Sequence, residues 1–62
     1  MELVILGAGE SGVGAALLAK AKRIPVFVSD RSAIAPAYRA ELEAAGIAYE
    51  AGQHSEQRIL DA

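Results

Sequence analysis

No cysteine occurs in the 62 residues, and the only histidine is His54. A disulfide framework is therefore excluded, and too few soft ligands remain for a structural zinc site. Tryptophan is absent, and one phenylalanine and two tyrosines make up the aromatic content. Charge of one sign is also lacking. Six Lys/Arg face eight Asp/Glu, a formal net charge of −2, with no basic stripe to follow a nucleic-acid backbone. No apolar run approaches the roughly 18 residues that span a bilayer. The opening "MELVIL" lacks the basic residues that begin a signal peptide. These absences point to a soluble, cytoplasmic chain with neither a membrane nor a nucleic-acid partner.

Apolar residues make up 53% of the chain, but 14 of them are alanines, which favour close packing and bury little area. A chain this short buries only about 60% of the surface its unfolded form exposes. Without disulfide or metal, such a unit is marginal and is expected to self-associate.

The larger apolar residues cluster in short runs that alternate with helical vocabulary. Glu2–Leu6 predicts a strand. Residues 11–23 predict a helix with Val13, Ala16, Leu17 and Ala21 on one side. Lys20, Lys22 and Arg23 crowd its C-terminal end, where cations complement the dipole, and Pro25 prevents continuation. "VFVS" at 26–29 predicts a second strand. Pro36 suits the first turn of a second helix, "PAYRAELEAA", and Gly46 suits the position just past its end. "IAYE" at 47–50 predicts a third strand, and Ser55 the cap of a third helix. The first helix has no glycine equivalent to Gly46, so Arg23 or Ile24 must make that turn or the helix must end differently, and some strain is expected there.

Unbroken apolar strands alternating with helices predict an α/β chain, a Rossmann-like parallel three-stranded βαβαβα unit. The expected strand order is 2-1-3, with helices on both faces. Residues 1–62 are expected to form part of a larger doubly wound sheet.

Between the first strand and helix lies "GAGESGVG", with glycines at 7, 9, 12 and 14. The spacing Gly7-x-Gly9-x-x-Gly12 matches a phosphate-binding fingerprint. Gly7 would permit the tight turn off the strand. Gly9 would let backbone approach a phosphate, and Gly12 would let helix and strand lie close. N–H groups at the helix start would then meet the anion. Ser11 adds a hydroxyl donor there. The Glu10 carboxylate would repel a phosphate, so its backbone N–H is the expected contribution. Gly14 is expected to serve packing.

Asp30 ends the second strand, 18 residues after Gly12. It stands where an acid meets a ribose hydroxyl, or where it caps the following turn. Arg31 and Ser32 are either donors to a base or second phosphate, or solvated loop residues. His54 is expected to be a loop residue, Tyr38 and Tyr49 packing residues, and Arg39 and Glu43 an exposed i,i+4 pair. There is no GxxxxGK[ST] loop, no Ser/His/Asp set and no metal-ligand cluster, so neither catalytic residue nor metal ligand is assigned. These residues point to a ligand that carries a phosphate, and leave open NAD(P) in an oxidoreductase, a nucleotide-sensing regulator, or a folding unit whose glycines serve packing only.

The runs "LVILGAGESGVGAALLAKAK", "VFVSD" and "GIAYEAGQHSEQRIL" resemble the N-terminus of the Mur ligases of peptidoglycan synthesis, over essentially the whole chain. The resemblance is to the branch that adds D-glutamate to UDP-N-acetylmuramoyl-L-alanine. It implies a partial UDP-binding domain, with an ATP- and magnesium-binding domain and a C-terminal domain outside this chain. ATP phosphorylates the substrate carboxylate in such a ligase, and the D-glutamate amine attacks the acyl phosphate. The glycine turn, here Gly7, Gly9, Glu10, Ser11 and Gly12, is implied to hold the diphosphate, and Asp30, Arg31 and Ser32 the uridine. No cofactor is expected in this portion. Arg23 and Pro25 depart from the family pattern, at the helix–strand corner and away from the site.

Overall fold

A computed structural model describes residues 2–52. Its elements run β1 (Leu3–Leu6), α1 (Glu10–Ala21), β2 (Val26–Asp30), α2 (Pro36–Ala44) and β3 (Ala48–Ala51). The helix expected from Ser55, and His54 with it, lie outside the described residues. The three strands form one parallel sheet, as expected. Leu3 pairs with Val26 and Leu6 with Ser29, while Phe27 pairs with Ala48 and Asp30 with Ala51.

The strand order is β1-β2-β3, not 2-1-3. The burial pattern agrees with this order. Val26, Phe27, Val28 and Ser29 are all buried, whereas the end residues of β1 and β3 are exposed. The strand with buried residues on both faces takes the centre. This order is also that of one half of a doubly wound dinucleotide fold, where the chain steps outward in one direction. Two right-handed crossovers stepping the same way place both helices on one face, and α1 packs against α2 as well as against β1 and β2. The expected coverage of both faces is therefore not what the described residues form.

The core lies between the helices and the sheet. Val26 and Val28 of β2 meet Val13, Ala16 and Ala19 of α1, Leu42 of α2, and the loop residues Ala8, Ile34 and Ile47. Ala19, rather than the exposed Ala21, completes the buried stripe of α1. Ala16 and Ala19 are small, so α1 lies close to the sheet. By alternation Val4, Leu6, Phe27, Ser29, Ala48 and Glu50 share the opposite face. There the Ser29 hydroxyl donates to Glu50 Oε2 at 2.7 Å.

Both helices end in the same hydrogen-bonded turn. Arg23 N–H donates to the Lys20 carbonyl and Ile24 N–H to Ala19, both at 2.9 Å. In α2, Gly46 N–H donates to Glu43 at 3.1 Å and Ile47 N–H to Leu42 at 2.9 Å. This is the Schellman arrangement, which requires a left-handed residue past the cap. Gly46 adopts φ 71° without penalty, but Arg23 adopts φ 62° with a Cβ. The strain expected at this corner therefore falls on Arg23.

Where α2 meets β3, the Tyr49 hydroxyl donates to the Glu43 carboxylate. That hydrogen bond raises the phenol pKa above its ordinary value of 10.0, with burial and the Glu43 charge adding to it and Arg39 opposing. The neutral phenol is thus favoured in the fold. Its contribution is complete below the unfolded pKa near 10 and is lost as pH rises through the folded pKa.

Two measurements check these local features. Arg23→Gly should raise stability by about 0.5–1 kcal/mol, relief of left-handed strain offset by glycine's unfolded-state entropy. A shift in thermal or denaturant midpoint reads it. Glu43→Gln should move one tyrosine's absorbance titration down toward 10, leaving the other unchanged.

Candidate nucleotide-binding turn

The turn between β1 and α1 is set by what three of its glycines do. Gly7 continues the β1–β2 ladder by one bond, its N–H donating to the Ser29 carbonyl at 2.7 Å. It then turns at φ +107°, a conformation that side-chain-bearing residues rarely adopt. Gly12, in the first turn of α1, lies directly over that corner. A Cβ there would stand 2.0 Å from the Gly7 carbonyl oxygen and 3.4 Å from Ile5 Cγ2. Gly12 is thus required by the close approach of helix and strand.

Gly9 is different. It is the N-cap of α1, at φ −82° and ψ −170°, extended backbone open to any residue. A Cβ built on it meets nothing within 4 Å. Neither conformation nor crowding demands glycine here, and the space above it is open. Gly14 is equally uncrowded and is exposed, so the packing role expected for it is not what the structure gives it.

The first intrahelical bond of α1 runs from Val13 N–H to the Gly9 carbonyl at 2.9 Å. The N–H groups of Glu10, Ser11 and Gly12 therefore have no intrahelical acceptor. No side chain caps them, because the N-cap is a glycine. These three donors lie at the positive end of a 12-residue helix, where Glu10 and Ser11 are exposed and Gly12 is half-buried. Ser11 stands among them, exposed. Glu10 is exposed in the same first turn, where an acid complements the helix dipole.

Asp30 reaches this turn from the end of β2. Ala8 N–H donates to Asp30 Oδ2 at 2.8 Å, and Ser32 N–H donates to Oδ1 at 2.9 Å. Ala8 is buried, and its N–H belongs to this internal contact, not to the open side. The Ser32 carbonyl in turn accepts from Gly52 N–H at 3.2 Å. The loops at the ends of all three strands are thus joined through Asp30 and the Ser32 backbone. Arg31 and Ser32 are both exposed in the loop after β2.

Gly7, Gly9, Glu10, Ser11, Gly12 and Asp30 are thus brought to one end of the sheet, with Arg31 and Ser32 on the neighbouring loop. The residue that spacing alone does not single out is Ala8. Its backbone N–H is the donor through which Asp30 holds the turn, and no side-chain pattern announces a backbone group. Among the described residues there is no group of three or more His, Cys, Asp or Glu side chains suited to a metal. No helix among them is long and apolar enough to cross a membrane.

The chain is 64% identical over 61 residues to the UDP-N-acetylmuramoylalanine–D-glutamate ligase of Cytophaga hutchinsonii. It is 61% identical over 61 residues to that of Porphyromonas gingivalis, and 57% identical over 60 residues to that of Bacteroides fragilis. These alignments cover 97–98% of the chain and 14% of each relative's length. The resemblance read from the sequence is thus borne out over nearly the whole chain. No family model matches it, and no solved structure matches it.

The two helical glycines should respond oppositely to alanine. Gly12→Ala forces the new Cβ against backbone and should destabilise by about 3 kcal/mol, the upper range for overpacking. Gly14→Ala meets open space and should stabilise by about 0.5–1 kcal/mol through helix propensity. Denaturant titration of the two variants checks both signs.

Proposed function

We propose that this chain, a relative of the UDP-N-acetylmuramoylalanine–D-glutamate ligases over nearly its whole length, is the nucleotide-holding N-terminal part of such a ligase. Its glycine turn would hold the diphosphate of UDP-N-acetylmuramoyl-L-alanine, and the loop of Asp30, Arg31 and Ser32 would lie at the uridine end. ATP, magnesium and D-glutamate would bind to domains outside this chain, and the whole ligase would act in the cytoplasm. The proposed whole activity is ATP-dependent amide formation between the substrate's alanine carboxylate and D-glutamate. On this reading the chain's own residues bind and orient and carry no catalytic group. The sheet would extend beyond the open edge of β1, where Leu3 and Leu6 are exposed.

The observation that carries this reading is Gly9. The fold does not need glycine at that position, and the space a side chain would fill is open. Beside it stand three backbone donors with no intrahelical acceptor, an arrangement suited to a diphosphate. The kinship to ligases named for a UDP-linked substrate favours uridine diphosphate over a nicotinamide dinucleotide.

Calorimetric titration of the intact protein with UDP-N-acetylmuramoyl-L-alanine and with NADH tests it. The uridine substrate should bind and NADH should not. Gly9→Val should abolish that binding while costing about 1 kcal/mol of stability, the penalty of a poor N-cap. Ser11→Ala should weaken binding by roughly ten- to a hundredfold, the loss of one hydrogen bond to a charged group, about 1.5–3 kcal/mol. Tight NADH binding with the uridine substrate ignored overturns the proposal.

A further inference from the structure

The Asp30 carboxylate is engaged on both oxygens with backbone, and its two partners lie on different loops. Oδ2 takes Ala8 N–H from the β1–α1 turn, and Oδ1 takes Ser32 N–H from the β2–α2 loop. An acid at the end of the second strand is otherwise expected to reach outward to a sugar hydroxyl. Here it reaches sideways, across the sheet, to the residue between Gly7 and Gly9.

We propose that Asp30 is a positioning residue for the diphosphate turn. Its carboxylate fixes the Ala8 peptide and thereby aims the N–H groups of Glu10, Ser11 and Gly12. This inference rests on the reading of the turn as a diphosphate site.

Geometry makes the role specific. Leu6 is the last β1 residue paired with β2, and Gly7 N–H takes one further backbone acceptor, the Ser29 carbonyl. Ala8 N–H comes next, and it takes the Asp30 side chain. The Gly7 carbonyl packs under Gly12, but Gly9 is uncrowded, so between that contact and the start of the helix no side chain restrains the turn. The buried Ala8 and its charge-assisted hydrogen bond supply that restraint. Because Oδ1 holds Ser32, whose carbonyl accepts from Gly52, the same carboxylate sets the turn relative to the loops after β2 and β3. The charge also disciplines the site. An anion beside Ala8 disfavours a phosphate there and leaves the first turn of α1 as the favourable seat.

The test uses the intact protein and three probes: UDP, uridine and inorganic pyrophosphate, with affinities measured by competition. Asp30→Ala should weaken UDP and pyrophosphate by similar factors, about tenfold each. Asp30→Asn keeps one oxygen to accept from Ala8 N–H and should recover most of the pyrophosphate affinity. If Asp30→Ala does not fold, Asp30→Asn carries the comparison, with a smaller and equal loss expected for UDP and pyrophosphate. Amide hydrogen exchange without ligand gives a second readout. Ala8 and Ser32 should exchange faster in Asp30→Ala, and Ser32 alone in Asp30→Asn, while Val4, Ile5 and Val28 keep their protection. Loss of UDP and uridine affinity with pyrophosphate untouched would make Asp30 a direct nucleoside ligand and overturn the proposal. Unchanged exchange at Ala8 in Asp30→Ala would overturn it as well. A wild-type protein that binds neither UDP nor pyrophosphate would instead defeat the reading of the site itself.

Discussion

The first turn of α1 rests on the carbonyl of Gly7, a contact close enough that a methyl group at residue 12 would stand 2.0 Å from that oxygen. Much of the unit depends on this approach. It lowers α1 onto β1 and β2, so that Ala16 and Ala19 suffice to fill the space above Val26 and Val28. It also fixes where the helix begins, and therefore where its unsatisfied N–H groups point. A looser contact would require larger helix residues and would move the positive end of α1 away from the strand ends.

Around that contact the turn divides its tasks among adjacent residues. Gly7 makes the corner, Ala8 is tied down by Asp30, and Gly9 leaves space open. The donors of Glu10, Ser11 and Gly12 then stand free of the helix ladder. This division separates Gly7 and Gly12, which build the corner, from Gly9, whose bareness neither conformation nor crowding requires. The strand order serves the same end. With β2 central, its terminal Asp30 lies beside the β1–α1 turn on one side and beside β3 on the other.

Much of this was legible in the residues, for physical reasons. Glycine spacing between an apolar run and a helix former's vocabulary locates the turn, because glycine is selected where Cβ atoms cannot go. The missing glycine at Arg23 located the strained corner, because a Schellman turn needs a left-handed residue whatever its type. Strand order was not legible. "LVIL" is as apolar as "VFVSD", and only pairing decides which is central. That α1 and α2 share one face followed from that order and was missed with it. Gly14 was misread because spacing cannot tell a crowded glycine from an exposed one. The Ala8–Asp30 bond was invisible because it joins a side chain to a backbone group 22 residues away.

The central claim is that the open space at Gly9 and the donors at the start of α1 seat a diphosphate. The most direct measurement is amide chemical-shift mapping of the intact protein, labelled with nitrogen-15 at glycine and titrated with UDP. The account predicts that Gly9 and Gly12 resonances move as binding saturates, while Gly14 and Gly46 stay in place. Saturable UDP binding with Gly9 and Gly12 unmoved would contradict it.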